Sequence, residues 1–280
     1  MGAPKLLDEL SKAESGQATV GARYRIKEED GSRRVYQAEQ CSCVPPPVFI
    51  LGITLLEILF FVYSLSGSCD RDRNAIPIIP NRDSIVVYRS DKKRELWRFV
   101  CYVLVHEGWM HLFFNMVVQL LIGLPLEMIH GSVRVCIVYT AGVVGASLGT
   151  TIFLQNVVLI GASGGVYALL AAHVADVILN YSEMELGFLK IIAAIIIAST
   201  DTVALLWNQY FDVRRSDLKS SSFSQTYIAH LIGAVSGLTM GFIVLKNFQP
   251  SPHSKVVWWL AVVSYVSSML FAIWWNVDLG

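Results

Sequence analysis

Ser163 lies in the run Gly161, Ala162, Ser163, Gly164, Gly165, Val166, Tyr167, at the head of a long apolar stretch. The glycines permit a tight turn and close backbone approach. A helix starting near Ser163 would aim its free N–H groups and positive dipole end at a developing anion. That arrangement suits an oxyanion next to a serine nucleophile. His111 and Asn115 are four residues apart in a second apolar stretch, so on one helix they share a face and can converge on one atom. In a third stretch His230 stands beside Ala229, Gly233, Gly237 and Gly241, a ridge of small residues recurring every four positions that lets another helix approach closely. Each feature also has a plain structural reading. His111 and Asn115 could be an interhelical hydrogen-bonding pair, Gly164 and Ala168 a packing seam, and His230 a satisfied core histidine. The G-x-S-x-G string is weak alone, because the hydrolase elbow that uses it follows a strand and none is expected before it here.

Acidic residues inside or at the ends of apolar stretches read as structural. Glu57, Glu127 and Asp201 suit hydrogen-bonded or cavity-lining groups better than catalysts. His106, Glu107 and His111 come near the H-E-x-x-H zinc pattern but with one residue too many. On a continuous helix that would set the second histidine about 140° around from the first, where the pattern needs about 40°. No metal or organic cofactor is implied.

The elements that must position these residues are membrane helices. Of the 280 residues 54% are hydrophobic and 16% charged, against roughly 45–50% and 25% in soluble domains. Formal net charge is zero, so nothing global points to nucleic acid. Seven apolar stretches approach the roughly 20 residues that cross a bilayer: Val48–Leu65, Phe99–Leu124, Val133–Phe153, Gly161–Leu179, Phe188–Trp207, Tyr227–Leu245 and Val256–Trp275. Lipid-exposed backbone must satisfy its own hydrogen bonds, which predicts an all-α, polytopic membrane helical bundle. Residues 1–47 read as a mobile tail ending in Pro45, Pro46 and Pro47. Residues 66–98 form the longest connection, and residues 246–280 add a last helix beyond the 48–245 core. Cys41 and Cys43 beside the first span read equally as acylation sites and as ordinary juxtamembrane cysteines. Orientation does not follow from charge, since eleven basic residues fall on each side.

Taken together, H-x-x-x-N at His111 and Asn115, G-x-S-G at Gly161 to Gly164, A-H-x-x-G-x-x-x-G at Ala229 to Gly237, and the pair Trp97 and Arg98 resemble the rhomboid intramembrane serine proteases. The likeness runs from about Cys43 to the end. It implies a six-helix rhomboid core plus one C-terminal transmembrane helix, the arrangement of the animal secretory-pathway members. By the same resemblance Ser163 is the nucleophile, His230 its base, and Tyr167, with Gly161, supports the dyad. His111, Asn115 and the Ser163 amide would form the oxyanion hole. Gly233, Gly237, Trp97, Arg98 and Glu127 would be structural. The resemblance further implies a cytoplasmic N-terminus, the loop 66–98 on the lumenal side, and a place in the secretory pathway, Golgi ahead of plasma membrane. Partners would be the lipid bilayer and single-pass transmembrane substrates, notably precursors of epidermal-growth-factor-like ligands. A rhomboid-like escort of membrane clients without proteolysis is the alternative; such relatives typically lack the serine or the histidine.

Overall fold

A computed structural model of the chain describes residues 25–29, 32–36, 46–68, 84–182, 184, 186–212, 218–248 and 252–279. Side chains are described for 46–66, 84–182, 184, 186–200, 224–248 and 252–278. The chain divides into two units, 1–42 and 43–280. Within the first, β1 (Arg25–Glu29) and β2 (Ser32–Tyr36) pair as an antiparallel hairpin. Cys41, Cys43 and the segment 69–83 of the long connection lie outside the described residues.

The second unit contains seven long helices among its described residues: α1 (Val48–Ser68), α2 (Gly108–His130), α3 (Ser132–Phe153), α4 (Ser163–Leu179), α5 (Gly187–Asp212), α6 (Leu218–Val244) and α7 (Pro252–Trp274). Five of these are long and apolar enough to cross a membrane, namely α1, α2, α3, α6 over Ser224–Val244, and α7 with its last turn. α4 and the Gly187–Thr200 part of α5 are shorter apolar helices. Large apolar side chains on α1 and α7, among them Leu51, Leu55, Leu59, Trp259, Leu260 and Leu270, stay exposed. Apolar patches of that extent are rare on water-facing surfaces and natural against lipid.

Small residues set the centre of the bundle. A Cβ placed on Gly142 of α3 would strike the Ala168 methyl and lie 2.8 Å from the Gly164 carbonyl oxygen. One on Gly145 would strike the Ser236 hydroxyl, and one on Gly149 would come within 2.9 Å of Ile232. The glycines of α3 thus let small side chains of α4 and α6 and the α4 backbone approach closely, the packing that dispersion favours where lipid supplies no hydrophobic drive.

The second helix starts later than its apolar run suggests. Phe99 to Glu107 are not part of it: Arg98–Cys101 makes one helical turn, Tyr102–Leu104 a 3-10 turn, and the chain is extended at Val105. Glu107, with φ −85° and ψ 85°, leaves the helical region, and Gly108 takes φ +79°, a value that favours glycine. At the other end α2 runs past Leu124 through Pro125 to His130. The Glu127 carboxylate accepts the Phe49 and Ile50 amides, each at 2.8 Å, and so caps the N-terminus of α1.

The long connection is braced rather than loose where it is described. The buried Arg98 guanidinium donates to Glu95 at 2.7 Å and to the Ser84 and Val87 carbonyls at 2.7 and 2.6 Å. Trp97 Nε1 donates to the Ile85 carbonyl at 3.1 Å. β3 (Tyr88–Arg89) pairs antiparallel with β4 (Val158–Leu159), which leads straight into Gly161.

α7 is latched to α3. Asn276, in a final π-helical turn, donates to the Leu148 carbonyl at 3.0 Å and accepts from Thr151 Oγ1 at 2.8 Å.

Candidate active site

Ser163 is the first residue of α4 and partly exposed. The chain enters through Gly161 at φ +102°, where an L side chain would be strained, and the Gly161 amide donates to the Tyr102 carbonyl at 3.1 Å. Gly165 and Val166 both donate to the Ala162 carbonyl at 3.0 Å. The amides before them, of Ser163 and Gly164, have no upstream helical carbonyl and stand at the positive end of α4.

α6 runs parallel to α4 in fixed register. A Cβ on Gly233 would lie 2.5 Å from the Gly164 oxygen, one on Gly237 would strike the Ala168 backbone, and one on Gly241 would come within 3.1 Å of the Ala172 Cα. Gly233 therefore stands level with Gly164. His230 then falls within two residues of the level of Ser163, about 3 Å of helical rise. The His230 ring is buried and stacks on Tyr167, with centroids 4.3 Å apart and planes 17° apart. Tyr167 is one turn after Ser163, and its hydroxyl donates to the Ala198 carbonyl of α5 at 3.2 Å. Ring stacking and that bond together hold Tyr167 flat against the imidazole.

His111 comes to the same place from α2. A Cβ on Gly161 would lie 2.8 Å from His111 Cε1 and 2.9 Å from Nε2, so the imidazole occupies the space that glycine leaves open. The Glu107 amide donates to His111 Nδ1 at 3.4 Å, which favours the tautomer carrying its proton on Nε2, the nitrogen beside Gly161. Asn115 is buried, and its Nδ2 donates to the His111 carbonyl one turn back at 2.8 Å. An amide nitrogen has two hydrogens, so a second N–H is left to donate elsewhere.

His106 lies before α2, not on it, so the helical-wheel separation of His106 from His111 does not apply. The two rings meet edge to face with centroids 5.3 Å apart. Burial, reinforced by the nearby His111, pulls the His106 imidazole down to about 3, so it stays neutral. Among the described residues, no three His, Cys, Asp or Glu side chains gather as a metal site.

Of the remaining polar residues, Glu57 is hydrogen-bonded within the bundle and Glu127 serves α1. The Asp201 side chain lies outside the described residues. Sequence reasoning missed Tyr102, whose carbonyl holds Gly161 and whose hydroxyl donates to the Val143 carbonyl at 2.9 Å. It also missed Gln119 and Tyr139. Only Gln119 had a readable signal, standing four residues after Asn115 on the same face.

The family model of the rhomboid domain matches residues 93–247, more than half of the chain. The chain belongs to the rhomboid family. Over 276 residues it is 33% identical to human Rhomboid-related protein 3, covering 97% of this chain and 66% of that protein. It is 34% identical to mouse Rhomboid-related protein 2 over 250 residues, covering 89% of the chain and 80% of the relative. It is also 29% identical over 227 residues to Inactive rhomboid-related protein 2 of Caenorhabditis elegans, covering 81% and 62%. The chain spans about two thirds of the length of Rhomboid-related protein 3. This rhomboid chain carries Ser163 and His230 on the helix pair whose register was just described.

Proposed function

We propose that the protein is an intramembrane serine endopeptidase that cuts single-pass membrane proteins in or just above their transmembrane helix. The observation that supports it best is the His230 ring stacked on Tyr167, one turn from Ser163, on two helices held in parallel register. In this mechanism His230 removes the Ser163 proton as Oγ attacks the scissile carbonyl. The resulting oxyanion accepts hydrogen bonds from the Ser163 amide, His111 Nε2 and Asn115 Nδ2. His230 then protonates the leaving amine, and water, activated by the same histidine, releases the acyl half and restores the serine. A Ser-His dyad suffices, because Tyr167 does the orienting that an aspartate does in a triad.

A transmembrane helix hides its carbonyls in its own hydrogen bonds, so the substrate must unwind locally before one can reach Ser163. Small or helix-destabilising residues near the cut would favour cleavage. Growth-factor precursors of the epidermal type are the substrates we propose, with the N-terminus cytoplasmic, the site toward the lumen and the ectodomain released outward from the secretory pathway, the Golgi ahead of the plasma membrane.

A second reading, escort of membrane clients without cleavage, is favoured by the likeness to a relative named inactive. The test is co-expression with tagged single-pass precursors at matched levels of wild type, Ser163→Ala and His230→Ala. Shedding by wild type alone supports the protease. Equal shedding by all three refutes it, and co-purification of a precursor with no shedding by any favours the escort.

A further inference from the structure

Glu57 is a carboxyl group in the middle of α1, wholly buried, for which the chemistry proposed above has no use. An ionisable group at that depth is costly unless its partners are well placed. Its Oε1 accepts from the Tyr139 hydroxyl of α3 at 2.9 Å, and its Oε2 accepts from Gln119 Nε2 of α2 at 2.9 Å. The same Gln119 nitrogen donates to Thr54 Oγ1 at 2.9 Å, while Gln119 Oε1 is buried with no hydrogen-bond partner among the described residues.

Both partners reach the candidate site. Gln119 lies one turn beyond Asn115 on the same face of α2. The Tyr139 ring lies on Gly165, where a Cβ would come within 2.5 Å of Cε2, two residues after Ser163. We infer that Glu57 is a positioning residue that ties the helix carrying Asn115 to the helix carrying Ser163. This inference rests on the proposed serine chemistry and deepens it.

The carboxyl can also change what it ties. Ionised, it only accepts, and Gln119 Oε1 goes unsatisfied. Protonated, it offers one O–H, and Gln119 turned over about its amide plane would present Oε1 to that donor. The protonation state of Glu57 thus selects between two arrangements of Gln119 beneath Asn115. Among the described residues, Tyr139 from α3 is the titratable group bonded to the carboxyl, with Gln119 from α2 and Thr54 from α1 itself as polar neighbours. Glu127, further along α2, is engaged at the Phe49 and Ile50 amides.

The test uses the full chain in detergent micelles and a fluorophosphonate probe, which Ser163 attacks at phosphorus with loss of fluoride. Labelling rates are taken from about pH 5 to 9 for wild type, Glu57→Gln, Tyr139→Phe and the double variant, with Ser163→Ala as blank. Each single change should lower the rate about tenfold per folded molecule, and the double should fall no further than the worse single. Glu57→Gln should also remove one inflection from the wild-type pH profile, which a merely structural role would not do. A wild-type rate and profile in Glu57→Gln, or effects that multiply in the double, overturn the inference while leaving the serine chemistry intact. If wild type labels no better than Ser163→Ala, the proposed function fails and this inference with it. Should Glu57→Gln not fold, Tyr139→Phe removes only the hydroxyl and decides alone, since an unchanged rate refutes the tie.

Discussion

Gly233→Ala isolates the α4–α6 contact on which the proposed pairing of His230 with Ser163 rests. The added methyl would stand 2.5 Å from the Gly164 carbonyl oxygen and 3.1 Å from its carbon and Cα. Those are backbone atoms, so no rotamer change relieves them. Restoring ordinary contact requires α4 and α6 to part by roughly 0.9 Å at a point one residue from Ser163 and three from His230. Overpacking of this kind costs about 1–3 kcal/mol of stability. The catalytic penalty should be larger in proportion, because displacing reacting groups by about 1 Å costs on the order of a hundredfold in rate. Gly52→Ala is the matched control, since no atom lies within 4 Å of a Cβ there. Thermal unfolding in detergent should show Gly233→Ala below wild type and Gly52→Ala close to it. Fluorophosphonate labelling per folded molecule should fall about a hundredfold for Gly233→Ala alone. Wild-type labelling by folded Gly233→Ala would refute the view that this seam places the dyad.

Three further outcomes are expected. Asn115→Ala removes one of the proposed oxyanion donors and should lower turnover by about 10² to 10³, read as substrate cleavage at matched protein. Glu127→Gln keeps one acceptor oxygen but loses the charge that caps α1, so its unfolding midpoint should drop by the equivalent of about 1 kcal/mol with labelling per folded molecule unchanged. His106 is held neutral by burial, so acid stabilises the unfolded chain, which takes up the proton, over the folded one. Its contribution to stability is present above pH 6.5 and is lost as pH falls toward about 3. His106→Phe should therefore show a shallower loss of unfolding midpoint across that range than wild type does, and equal slopes would count against it.

Much of the bundle was legible because a bilayer leaves the backbone few choices: an apolar run of sufficient length has to be a helix. The four-residue recurrence of Ala229, Gly233, Gly237 and Gly241 likewise announced a close helix contact, and the small residues of α4 marked its partner. What the sequence concealed was where backbone leaves the helical path inside an apolar run. Phe99 to Val105 read as helix by composition, and only the φ of Gly108 and the bracing of Arg98 turn that segment into a loop that sets His106 on His111. Long-range polar partners were equally hidden. Nothing near Glu57 signals Tyr139, 82 residues away, nor does anything near Glu127 announce the amides of Phe49 and Ile50. Pairing of β3 with β4 rests on two residues a side, too short for alternation to register.

The glycine seam also bears on how such a site tolerates its solvent. Bilayers differ in thickness, and a helix answers mismatch by changing tilt. α4 and α6 touch through backbone at Gly164, Ala168 and Ala172, three successive turns, so a change of tilt carries both as one rigid plank. Thin and thick membranes alike should then leave the offset between the levels of Ser163 and His230 unchanged. Contact with the lipid falls instead on the outward faces of α1 and α7, whose exposed leucines and tryptophans meet the acyl chains away from that seam.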